Sequence, residues 1–96
     1  MVIENILPIG TVVQLKSLDA RVIVAGYAST TAKNTGYTWD YSGFPFPLGY
    51  CGKEAILSFD TDEIESIVSY GYQDEEQLQF MNKLNEVLKE IDKGTK

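Results

Sequence analysis

Two X-Pro bonds one residue apart, Phe44-Pro45 and Phe46-Pro47, restrict this chain more than any other feature. Each proline fixes its own φ, removes a backbone donor and holds the preceding residue extended. Neither a helix nor a regular central strand is therefore expected to run through them. The surrounding stretch, Tyr37 to Lys53, contains the only Trp and two of the three prolines. It reads as a shaped loop, with Gly43, Gly49 and Gly52 available for positive φ and a cis bond open at either Pro45 or Pro47. Such a loop either folds its rings onto the domain as a lid or presents them to a partner.

With 96 residues and 44% hydrophobic content, the chain reads as one α+β domain over 1–96. A chain this short buries roughly 60% of its unfolded surface around a single modest core. Fourteen acidic against eight basic residues give a net charge of -6, which repels phosphate backbones and anionic headgroups and argues against nucleic-acid or membrane partners. No window approaches the ~18 apolar residues of a membrane span, and the start of the chain lacks a secretory pattern. A cytoplasmic protein is expected, exported only if carried with a partner.

Along the chain, Ile3, Ile6, Leu7 and Ile9 around Pro8 suit a short anchor entering a sheet at its edge. Thr11 to Lys16 alternates, with Val13 and Leu15 on one face of a half-buried strand. After a turn at Leu18-Asp19-Ala20, Arg21 to Tyr27 is β-branched enough for a second, antiparallel strand, and Gly26 marks a bulge. Ala28 to Gly36 is small, polar and aperiodic, as at a hairpin tip. Tyr37, Trp39 and Tyr41 then fall on one side of a short third strand, with Thr38 and Asp40 on the other. Glu54 to Phe59 gives a fourth strand with Ala55, Leu57 and Phe59 on one face. Asp60 caps one helical turn, and Ser66 to Tyr72 forms a fifth strand through Ile67, Val68, Tyr70 and Tyr72. Five locally connected strands over 7–72 predict a small curled antiparallel sheet, or an SH3-like barrel.

The C-terminal helix is predicted over 74–93. Asp74 caps it, Gln77 stands at the capping-box position, and Glu75 and Glu76 lie where the helix dipole favours negative charge. Phe80, Met81, Leu84, Val87, Leu88 and Ile91 share about a third of the circumference. A helix of this length is marginal alone in water, so that stripe needs a surface, either this domain's own sheet or another protein's groove.

Reactive chemistry is poorly supplied. Asp60, Asp62, Glu63 and Glu65 form the densest carboxylate cluster but lack the glycine and terminal glutamate of a calcium loop, so capping and solvation account for them. Cys51 has no histidine anywhere in the chain to activate it, and reads as a small buried hydrophobe. No phosphate-cradling glycine motif is present. No catalytic residue, cofactor or metal is expected, and the protein reads as non-enzymatic.

Three pieces taken together carry a resemblance: Leu7-Pro8-Ile9-Gly10-Thr11-Val12-Val13-Gln14-Leu15-Lys16, then Trp39-Asp40-Tyr41-Ser42-Gly43-Phe44-Pro45-Phe46-Pro47-Leu48-Gly49, then Gly71-Tyr72-Gln73-Asp74-Glu75-Glu76. In this order and spacing the chain resembles the small Gram-positive domain-of-unknown-function family forty-one seventy-six. Trp39 and Phe46 stand where the family usually has Tyr, and Phe44 fills a slot that is often small. The resemblance implies an accessory role, as adaptor or chaperone, beside a Leu-x-Gly toxin exported by type VII secretion, with the toxin or its delivery domain as protein partner. Phe44, Phe46 and Tyr50 would then be anchors, with Pro45 and Pro47 stiffening the loop and Trp39 and Tyr41 supporting it. The alternatives are an immunity protein for the same toxin, a small-ligand-binding domain, and a structural homo-oligomer.

Overall fold

A computed structural model of the chain describes residue 3 and residues 5–29 and 37–90. Five strands and one helix follow in order: β1 (Val12–Leu15), β2 (Arg21–Ser29), β3 (Trp39–Pro45), β4 (Leu57–Phe59), β5 (Ile64–Ser69) and α1 (Glu75–Leu88). The strands form one antiparallel sheet in the order β4-β3-β2-β1-β5. A flat sheet of five strands would hold its edges about 19 Å apart at ~4.8 Å per step. The chain nevertheless passes from β4 to β5 through one 3-10 turn, Thr61–Glu63, which rises only ~2 Å per residue. The sheet therefore curls until its edges approach, and it remains open because β4 and β5 share no ladder.

The alternation read in β1 places Val13 and Leu15 in the core, with Val13 directly opposite Val22 of β2 and Val24 buried on the same strand as Val22. Ile3, Ile6, Leu7, Tyr41, Phe59 and Leu88 complete that core. The anchor enters as irregular chain rather than as a strand, and two tyrosines hold it in place. The Leu7 amide donates to the Tyr41 hydroxyl at 3.2 Å, and the Tyr27 hydroxyl donates to the Leu7 carbonyl. Tyr27 and Tyr41 face each other across the β2–β3 ladder with ring centroids 5.8 Å apart. Burial, with Tyr41 alongside, pushes the Tyr27 phenol up to about 12, so it stays a donor at neutral pH. The bulge expected at Gly26 is present as a register shift between Val24 and Gly26.

Several elements differ from the sequence reading. β3 runs through Ser42, Gly43 and Phe44 and ends on Pro45, so the loop begins at Phe46, not at Tyr37. Proline is tolerated there because β4 pairs only with Tyr41 to Gly43. Phe46 donates its amide to Arg21, so by strand alternation the missing Pro45 donor would have faced the unpaired side. Gly43 does not adopt positive φ. Glycine is needed there because a Cβ would lie 2.3 Å from the Ile23 carbonyl oxygen. Thr38 and Asp40 are buried together with Tyr37 and Tyr41, so both sides of the third strand are covered. Ala55 belongs to a 3-10 turn, Lys53–Ala55, ahead of a shorter β4.

β5 starts and ends earlier than expected, and Ile67, Val68, Tyr70 and Tyr72 are exposed. At a sheet edge only one flank of the strand meets the protein. Asp74 caps α1 by accepting the Gln77 amide at 2.9 Å. Leu88 is fully buried and Met81 and Leu84 pack on the core, whereas Phe80 and Val87 are each 52% exposed. Only the line through Met81, Leu84 and Leu88 sinks into the sheet, because a convex helix touches a curled surface along a strip narrower than its apolar arc. Among the described residues no helix is long and apolar enough to cross a membrane. Of the hairpin tip expected from Ala28 to Gly36, Ala28 and Ser29 belong to β2, which runs longer than expected. The rest lies outside the described residues, as does the part of the expected helix beyond Glu90, including Ile91.

Candidate partner-binding site

β3 and the turn after it carry the aromatic residues singled out in the sequence. As β3 ends, the Phe46 amide donates to the Arg21 carbonyl at 2.9 Å and the Gly49 amide donates to the Pro45 carbonyl at 2.7 Å. The Phe46-Pro47 bond is cis, and Gly49 and Gly52 take φ of 76° and 110°. The Ala55 amide closes on the Gly52 carbonyl at 3.1 Å. Backbone hydrogen bonds thus tie the turn to β2 at one end and to the following 3-10 turn at the other.

On this frame Phe44 is half-buried and meets the Tyr50 ring edge-on at 5.5 Å. The Arg21 guanidinium lies 4.7 Å from the centroid of the Phe46 ring, the geometry of a cation–π contact. Phe46, Leu48 and Tyr50 are 37%, 75% and 63% exposed. They form an apolar ridge with one cation beside it. Pro45, the last residue of β3, is half-buried, and Pro47 is exposed in the turn.

Trp39 and Tyr41 lie elsewhere. Tyr41 is fully buried and stacks on Phe59 at 5.5 Å, with its phenol pushed up chiefly by burial. Trp39 is half-buried and meets Tyr37 edge-on at 4.8 Å. The sequence reading missed Leu48, although its position between Pro47 and Gly49 was a signal. An apolar residue at the tip of a turn that can neither pair nor bend inward has no core to join. Cys51, expected to be buried, is exposed beside the ridge, because the turn that carries it projects from the sheet.

At the opposite end of β3 from the ridge, a polar junction closes the strand onto the chain after β4. The Tyr37 hydroxyl and the Asp40 amide donate to the Asp60 carboxylate, the latter at 2.9 Å. The amide and hydroxyl of Thr61 both donate to Asp40 Oδ2 at 2.8 Å. The carboxylates of Asp60, Asp62 and Glu63 come within 4.8 Å of one another. Glu63 accepts the Asp60 amide at 3.3 Å, and Asp60 is turned into β3, so the cluster works as a cap and a clasp.

No curated protein and no solved structure shows significant similarity to the chain. The family model described as Domain of unknown function (DUF4176) matches residues 6–80, which takes in all three motifs above: the anchor that Tyr27 and Tyr41 hold, the ridge, and the glycine that leads into α1. The chain belongs to the DUF4176 family.

Proposed function

We propose that this protein is a non-enzymatic docking module that binds a protein partner through the ridge of Phe44, Phe46, Leu48 and Tyr50. The observation that carries this reading is an exposed apolar ridge held on a hydrogen-bonded frame. Large rings and Leu in a preformed turn lose little conformational entropy on binding, and aromatic anchors beside an arginine are the composition of interface hot spots. The partner is a toxin of the Leu-x-Gly type or its helical delivery domain, bound in the cytoplasm of a Gram-positive cell before type VII export. That context is implied by the family resemblance, and the ridge is the surface suited to it.

The test is a pull-down of the toxin encoded next to this protein, using the full chain and a Phe44→Ala, Phe46→Ala double variant. Capture by the native chain and its loss in the folded double variant support the reading. Undiminished capture by the variant sinks it. Co-expression without the secretion machinery separates the immunity alternative, since only an immunity protein restores growth there.

A further inference from the structure

A second surface lies away from the ridge, along the outer edge of β5. A groove of about 730 Å³ runs there between residues 5–8 and the strand, with Tyr70 and Met81 contributing at one end. Ile64, Glu65, Ser66 and Ile67 all line it. β5 is the last strand of the sheet and is bulged against β1 at Glu65 and Val68, so its residues do not alternate strictly between faces, and the groove lies beside its outer edge. Among the described residues β5 pairs with β1 alone, which leaves its other edge without a ladder there.

Charge narrows the occupant. From Glu54 to Asn82 the sequence has eight acidic residues and no Lys or Arg, and this stretch builds β4, β5 and the start of α1. Glu65 lies in the groove, while Asp62 and Asp74 adjoin its lining residues Thr61 and Gln73. A second copy of this chain would bring like charges together at the shared edge, which disfavours self-pairing. We infer that β5 accepts an extended, basic segment of a protein partner as a sixth strand. Main-chain hydrogen bonds to the edge would bind it, its apolar side chains would sit against Ile67 and Tyr70, and its Lys or Arg side chains would face Glu65. This surface is independent of the aromatic ridge.

The probe is a synthetic eight-residue peptide alternating Lys and Val, added to the full-length protein and followed by backbone amide NMR. Shifts confined to Ile64–Ser69 and the facing residues 5–7 are expected. Affinity should fall at least about tenfold for a Glu65→Lys variant, and equally for a peptide N-methylated at every second residue, which cannot complete the ladder. The Phe44→Ala, Phe46→Ala double variant should bind the peptide as the native chain does. Equal binding of an alternating Glu and Val peptide would overturn the inference, as would undiminished binding of the N-methylated peptide. Shifts centred on Phe46–Tyr50 would overturn it too. So would an edge-to-edge dimer of the protein itself by light scattering.

Discussion

Asp40 and Asp60 hold each other's neighbourhoods in place. Asp60 Oδ1 accepts the Asp40 amide at 2.9 Å, while Asp40 Oδ2 accepts the amide and hydroxyl of Thr61, the next residue after Asp60, at 2.8 Å each. Both carboxylates are buried, each 5% exposed. This pairing ties β3 to the turn that carries the chain from one sheet edge to the other.

Replacing Asp40 with Ala should therefore destabilise the fold by roughly 1.5–3 kcal/mol, because the charge-assisted hydrogen bonds from the Thr61 amide and hydroxyl to a buried carboxylate are lost. Asp40→Asn keeps one acceptor oxygen and should cost clearly less. Urea denaturation of the three proteins checks the order.

Gly71 passes the N-terminal segment so closely that a Cβ would stand 2.1 Å from the Ile9 carbonyl oxygen and 2.9 Å from the Thr11 nitrogen. Its own amide donates to Thr11 Oγ1 at 3.0 Å. Gly71→Ala must push two backbone segments apart, an overpacking effect of about 1–3 kcal/mol. For a domain of this size that lowers Tm by roughly 5–20 °C. A calorimetric melt unchanged within about 2 °C would refute the close contact.

Alkaline stability should depend on Tyr27. Its pKa is raised from 10.0 to about 12 in the folded chain, so the folded state holds this proton more tightly than the unfolded state does. The stabilisation is complete below pH 10 and is lost as pH rises from there through about 12. Tyr41 is shifted in the same direction. Urea midpoints should fall steeply over that window in the native chain and less steeply in Tyr27→Phe. Parallel slopes would contradict the burial of this phenol.

Ridge variants should behave oppositely. Leu48 is 75% exposed and Phe46 37% exposed, and surface substitutions of this kind usually change stability within about 0.5 kcal/mol. Leu48→Ser should melt with the native protein and yet weaken capture of the partner. A large loss of stability would mean that Leu48 packs against the chain rather than standing free.

Features controlled by neighbouring residues were legible in the sequence. The start of α1 follows from the reach of Asp74 to Gln77, the core face of β1 from the alternation of Val13 and Leu15, and the bulge in β2 from Gly26. Each depends on contacts a few residues apart, which composition and spacing describe. The strand character of Phe44 and Pro45 could not be read this way, because proline is tolerated only where the adjoining strand stops short, and that depends on the length of β4. Likewise the helical apolar arc contains Phe80 and Val87, but the width of the strip that sinks is set by the curl of the sheet beneath it. Exposure of Cys51, burial of Asp40 and the bare edge of β5 belong to the same class. Sequence by itself determined which segments become strands, turn and helix, because those preferences are local. Which faces are covered was decided only in the tertiary structure, because burial is a property of distant segments brought together.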